Sequence, residues 1–169
     1  MAKDLLARGT GNTRPVVVVG VGNRLRGDDG IGPALLDALA GFEQVCRFDV
    51  GSTPENFILP IAQLKPGRIM VVDACDFGGQ PGEFRLFDQS QVEQLAYGLL
   101  STHTLPLSLT VEMLAQETRA EVVLLGIQPA DIRFGADLSE PVRSALPALI
   151  AFVQRWAADE PERGRLPKV

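Results

Sequence analysis

The sequence predicts an α/β fold: a single-domain three-layer sandwich, with a five-stranded, mostly parallel twisted sheet and helices on both faces. Three observations carry that prediction. Residues 16–19 and 69–72 are unbroken apolar runs, and a strand without alternation is one covered on both faces, as in a parallel sheet. Segments with apolar residues at helical spacing separate the strand-like runs, which gives the order βαβαββααβα. At 169 residues and 46% hydrophobic content, the chain can bury one sizeable core. Neither an internal repeat nor a low-complexity linker divides it. Residues 15–158 are expected to form one domain, between a flexible N-terminal arm (1–14) and a flexible charged tail (159–169).

Pro15 opens the first strand, residues 16–19. Ile31, Ala34, Leu35, Ala38 and Leu39 mark the first helix by their spacing, with Asp28 or Asp29 as its cap and Gly41 as its stop. Residues 45–50 alternate enough for a second strand, and Cys46 within it is expected to be a buried thiol. Asp49-Val50-Gly51-Ser52 ends that strand. Thr53-Pro54-Glu55 reads as a helix start, a capping hydroxyl followed by proline at the first helical position. Phe57, Ile58, Ile61 and Leu64 supply its apolar face, and Pro60 is expected to bend or split it. Residues 68–74 are the third strand, which carries Asp73 near its end. After the Gly78-Gly79-Gln80-Pro81-Gly82 turn, residues 83–87 form a short strand. Its short connection to the third strand predicts an antiparallel neighbour. Helices at 91–97 and 105–117 follow, the second with Leu105, Leu109, Met113 and Leu114 on one side. Between them lies the polar loop Ser101-Thr102-His103-Thr104. Residues 121–127 are the fifth strand, stopped by Gln128-Pro129. A long helix at 138–158 closes the domain, with Pro141 near its start and Pro147 within it.

The formal net charge of −5 and the lack of any basic cluster argue against nucleic-acid binding, which needs a basic face. No apolar run approaches the roughly 20 residues of a membrane helix, and the polar N-terminus has no signal-peptide core. A cytoplasmic protein without membrane contact is expected. A monomer is expected too, because the helices show no self-complementary apolar stripe. Cys46 and Cys75 match no metal or redox pattern.

Residues 16–32, VVVVGVGNRLRGDDGIG, form a strand, a glycine turn and a polar loop ending in two adjacent acids. Gly20-Val21-Gly22 suggests a dinucleotide fingerprint, but Leu25 stands where its third glycine belongs. Two carboxylates at a helix start would also repel the phosphate that such a turn holds. A cation suits the loop better. In open α/β sheets, sites form outside the carboxyl ends of the strands. The first strand leads to Asp28 and Asp29, the second ends at Asp49, and the third ends at Asp73 with Asp76 beyond. The single histidine, His103, is in a loop that the topology could return to the same edge. Carboxylates with one imidazole make an oxygen and nitrogen donor set suited to Ni²⁺, Zn²⁺ or Fe²⁺. There is no His-Glu-x-x-His and no Gly-x-Ser-x-Gly elbow.

In order and spacing these residues resemble the hydrogenase maturation endopeptidases. The likeness is carried by Gly20-Val-Gly-Asn-Arg-Leu-Arg-Gly-Asp-Asp-Gly-Ile-Gly32, the acid-ended second strand, Val71-Val-Asp-Ala74, Pro81-Gly-Glu83, the Ser-Thr-His103 loop and Gly126-Ile-Gln-Pro129. It runs over about residues 16–153. The resemblance implies the same five-stranded sheet. It also implies an endopeptidase that removes the C-terminal extension of a [NiFe]-hydrogenase large-subunit precursor after nickel insertion. The family's metal ligands fall on Asp29, Asp73 and His103, and the nickel they meet is supplied by the substrate. Another divalent ion in the isolated protein would suit the same donors. Asp49 is the candidate catalytic base or orienting group. Asp28 is left with a structural role as the helix cap, and the loop glycines are read as clearance for the incoming protein tail. One departure stands out: Val50 follows Asp49 where the family usually has glycine, so the turn there would rest on Gly51. Two other functions fit parts of the pattern, a non-proteolytic chaperone that binds the nickel centre and, less well, a nucleotide-binding regulator.

Overall fold

The computed structural model describes residues 14–95 and 107–158. The expected arm, apart from Arg14, the expected tail and the loop carrying His103 lie outside the described residues. The elements are β1 (Val16–Val21), α1 (Ile31–Ala38), β2 (Val45–Gly51), α2 (Ile58–Gln63), β3 (Arg68–Ala74), β4 (Phe84–Phe87), α3 (Gln89–Leu95), α4 (Leu107–Thr118), β5 (Glu121–Ile127) and α5 (Glu140–Ala158). Short 3-10 turns, Gly27–Gly30 and Pro54–Phe57, precede α1 and α2. The sheet order is β2-β1-β3-β5-β4. All neighbours are parallel except β4, which runs antiparallel to β5 at the edge. The predicted element order and fold class are therefore those observed.

Side chains alternate along the strands between two apolar layers. Val17, Val19, Ile69, Val71, Val122 and Leu124 pack in one cluster with Ile58 and Ile61 of α2, Val92 of α3 and Val111 and Leu114 of α4. Val18, Met70, Val72, Val123 and Leu125 pack with Ile31 and Leu35 of α1 and Leu149, Val153 and Trp156 of α5. The connection from β1 leads out to β2, and the next returns past β1 to β3. The sheet thus reverses its winding between β1 and β3, the place where crevices open in such folds.

Three local expectations are corrected, and the one on Pro60 is met by a split. Neither helix start has a side-chain cap; instead the chain enters each through a 3-10 turn. The helix expected from Thr53 is split, into a 3-10 turn at Pro54–Phe57 and α2, and Pro60 lies in the first turn of the second piece, where a missing N–H costs no helical bond. In α4, Leu109 is exposed, and the buried stripe is Leu107, Thr110, Val111, Leu114 and Thr118. Thr118 can join that stripe because its hydroxyl donates to the Leu114 carbonyl at 2.5 Å. Cys46 is only half-buried, on the edge strand β2. Among the described residues, no helix is long and apolar enough to cross a membrane.

Candidate active site

The loop after β1 is built by glycine, at positions where a side chain would meet backbone. Gly22 has φ +134°, and a Cβ there would lie 1.8 Å from the Asp29 carbonyl oxygen. A Cβ on Gly32 would meet the carbonyl oxygens of Val21 at 2.3 Å and Val72 at 2.7 Å. A Cβ on Gly20 would meet the Gly32 backbone at 2.8 Å. These glycines let the first turn of α1 lie directly on the ends of β1 and β3. Their missing side chains face this protein's own backbone, so the expectation that they clear space for another chain is corrected.

This packing sets the two adjacent acids in different places. Asp29 is 2% exposed, and its Oδ2 accepts the Asn23 N–H at 2.9 Å. Asp28 is fully buried and points the other way. Its Oδ2 accepts the N–H groups of Ala130 (2.8 Å) and Asp131 (3.0 Å), and its Oδ1 accepts that of Ser139 (2.7 Å). Asp28 is thus not the cap of α1, as the sequence suggested. It pins the loop between β5 and α5 against the loop after β1. Backbone bonds extend the seam: Gly27 N–H to Ala136, Asp28 N–H to Asp131 and Gly135 N–H to Leu25 carbonyls. Gly27, at φ +55°, allows the close approach, since a Cβ there would stand 2.4 Å from the Asp131 oxygen.

Asp73, 1% exposed, lies one residue from the end of β3 and pairs in register with Gly126 of β5. The strand alternation that sends Ile69 and Val71 toward α2 and α4 sends Asp73 to the same side. Cys75, two residues on, donates its thiol to the Asp73 carbonyl at 3.7 Å. Burial, and then the Asp73 charge, push that thiol well above the usual range, which leaves it protonated and poorly nucleophilic. Asp29 and Asp73 are therefore buried carboxylates at the carboxyl ends of neighbouring strands, at the reversal of the sheet.

Asp49 belongs to a separate, more open feature. Its Oδ2 accepts the Arg24 Nη2–H at 2.8 Å, and the same guanidinium reaches both oxygens of Asp37 at 2.5 and 3.2 Å. The two carboxylates, Asp37 first, hold Arg24 above its ordinary range. Arg24 and Asp49 line a cleft of about 310 Å³ with Gly22, Asn23, Pro33, Gly51 and Ser52. Gly51 carries the positive φ, +55°, whereas Val50 is the extra residue of a bulge against β1 and is 3% exposed in the core. The turn after Asp49 needs no glycine at position 50.

Asp76 turns away to solvent, where the Gln128 amide and the Gly78 N–H hold its carboxyl below the usual carboxylate range. Gln128, read from the sequence only as part of the stop after the fifth strand, has a further role. Its Oε1 accepts the N–H groups of Phe77 and Gly79, both at 3.0 Å, and its Nε2 donates to Asp76 at 3.0 Å. One buried amide thereby shapes the connection that follows Asp73. Its signal was a polar residue between a buried strand and a proline. Among the described residues, no group of three His, Cys, Asp or Glu side chains converges as a metal site. His103 precedes Leu107, the first residue of α4, by four positions. Since α4 leads within two residues to the start of β5, its own start faces the edge where β1 and β3 end.

Comparison with known proteins bears on what these carboxylates serve. The family model for HycI, a hydrogenase maturation protease, matches residues 33–156. The Hydrogenase 3 maturation protease of Escherichia coli K12 is 34% identical over 142 residues, covering 83% of this chain and 89% of that one. A crystal structure of the Hydrogenase 3 maturation protease superposes with a TM-score of 0.75 over 84% of this chain and 90% of the other, at 34% identity. The [NiFe] hydrogenase maturation protease HycI of Thermococcus kodakarensis KOD1 gives 0.76, at 28% identity, over 94% of this chain and 99% of that one.

Proposed function

The chain belongs to the hydrogenase maturation protease family, and we propose that this endopeptidase removes the C-terminal extension of a [NiFe]-hydrogenase large-subunit precursor once nickel is in place. The observation that carries the nickel reading is the pair of buried carboxylates, Asp29 and Asp73, at the reversal between β1 and β3. In this reading the nickel is part of the substrate and arrives on it. Asp29, Asp73 and His103 complete its coordination from the protease side, so that only a loaded precursor seats fully. Oxygen and imidazole donors suit that borderline ion. Seating brings the scissile peptide to the adjoining cleft, where Asp49, held by Arg24, orients the peptide or accepts a proton. The protease works as a cytoplasmic monomer, and a divalent ion can occupy the same donors in the isolated protein.

The test is a mass-spectrometric cleavage assay with nickel-loaded and nickel-free precursor. The wild-type protein should shorten only the loaded form. Asp29→Ala, Asp73→Ala and His103→Ala should each lower kcat/KM at least about 100-fold, the scale of losing one designed charge contact. Undiminished processing by His103→Ala would remove that residue from the ligand set. Equal processing of nickel-free precursor would remove the metal from recognition.

A further inference from the structure

From Leu25 and Phe134, we infer a docking face for the folded body of the substrate protein, beside the cleft. The inference rests on the proposed protease function and adds a partner surface to it. Leu25 is 60% exposed and Phe134 is 73% exposed, and among the described residues they are the most exposed large apolar side chains on this edge of the sheet. They stand on chain segments 109 positions apart in sequence that hydrogen-bond directly, since Gly135 donates its N–H to the Leu25 carbonyl at 2.7 Å. The segments are fixed from beneath by the buried Asp28 carboxylate and by the close approach at Gly27. Exposed apolar residues on loose loops need no explanation. Two large ones held out on a seam with a buried carboxylate under it are a presented surface.

Two of the arginines around this pair are ion-paired within the chain. Arg24 is paired with Asp37 and Asp49, and Arg133 with Asp131. The exposed side chains of Leu25 and Phe134 themselves offer apolar area, which suits an apolar patch on a folded protein better than a charged peptide tail. Leu25 directly follows Arg24, which lines the cleft, so whatever enters the cleft brings its parent body over Leu25. A second copy of this chain is the poorer occupant. Fully covered, the exposed parts of the two side chains give on the order of 250 Å² per partner, roughly a third of what each partner contributes to a standard stable interface. That is the scale of a transient enzyme–substrate contact.

The experiment measures steady-state cleavage of the loaded precursor by Leu25→Ser/Phe134→Ser, with Leu59→Ser as control. Leu59 is 65% exposed but stands on α2, over the opposite face of the sheet. Neither Leu25 nor Phe134 is buried, and their backbone bonds survive the substitutions, so unchanged thermal melting certifies folding. The double variant should raise KM at least about tenfold with kcat within twofold, and Leu59→Ser should leave both unchanged. An unchanged KM, or an equal rise in Leu59→Ser, overturns the docking face. So does concentration-dependent dimerisation of the wild type that the double variant abolishes, because the occupant is then a second copy. If the wild type fails to cut the precursor, the protease reading fails instead. Biolayer interferometry with the same precursor then decides the face: retention by the wild type and its loss in the double variant support docking, and equal or absent retention overturns it.

Discussion

Replacing Asp28 with alanine separates two accounts of the acid pair by a measurable margin. A helix cap is worth about 1 kcal/mol. The structure instead gives the Asp28 carboxylate three backbone donors, at 2.7, 2.8 and 3.0 Å, in a position closed to water. Hydrogen bonds to a charged acceptor contribute about 1.5–3 kcal/mol each, so three give about 5 kcal/mol at the low end. Removing the side chain frees a polar space that water can enter, and the loop can relax, which brings the expected loss to about 3–4 kcal/mol. With a urea m-value of about 2 kcal/mol/M, the unfolding midpoint should fall by about 1.5–2 M, against about 0.5 M for a lost cap. Asp28→Asn keeps one carbonyl acceptor and turns an NH₂ toward at least one of the donors, so its midpoint should fall about half as far. A fall of 0.5 M or less for Asp28→Ala would show that the seam does not depend on this carboxylate. Such a result would also remove the support claimed for the docking face.

Two further outcomes follow from the same coordinates. Val50→Gly places a glycine where the family resemblance leads one to expect it but removes a buried side chain, 3% exposed. It should cost about 2–3 kcal/mol in urea unfolding and leave kcat/KM at 25 °C unchanged; a gain in activity would mean that the valine distorts the turn after Asp49. Asp131 titrates at about 2 in the folded protein, lowered first by the Arg133 side chain and then by the Arg133 N–H. Because its folded value lies below its unfolded one, its contribution is complete above about pH 4 and is lost as pH falls toward 2. Carboxyl carbon shifts followed by NMR from pH 5 downward should show Asp131 still ionised at pH 3 and mostly protonated there in Arg133→Ala; a midpoint near 3.8 in the wild type would contradict the pairing.

The strands were legible where punctuation and apolar runs coincide. The bounds of β3 and β5 are those read from the sequence, because Pro66-Gly67 precedes one and Gln128-Pro129 follows the other. β1 runs two residues beyond its apolar run, because Gly20 and Val21 continue the pairing with β2 and β3. Its glycine belongs to the strand as well as to the turn. The acids at the strand ends were legible as a set, but their partners were not. Asp28 bonds to residues 102, 103 and 111 positions away, and no local pattern reveals such a contact. Asp49 looked like a member of the acid cluster, yet Arg24, placed by the same loop, draws it into the cleft with Asp37. In α4, counting leucines selected Leu109, whereas the buried stripe includes two threonines that a hydrophobicity pattern discounts.

The disposition of Asp29 and Asp73 is set by main chain rather than by side-chain packing. Gly32 rests on the carbonyl oxygens of Val21 and Val72, one at the end of β1 and the other next to Asp73. The 3-10 turn carrying Asp29 ends two residues before Gly32 and cannot shift without lifting α1 from both strands. The backbone carrying each carboxylate is thus fixed by its packing, Asp73 within β3 and Asp29 in the turn under α1. Under the proposed function this rigidity has a purpose. A site that judges whether a metal is present on another protein gains discrimination when its own ligands do not rearrange to fill the gap left by a missing ion, since an adaptable site would accept the empty precursor almost as readily. The neighbouring acid supplies that rigidity from the other side of the loop: Asp28 anchors the backbone so that Asp29 need not move.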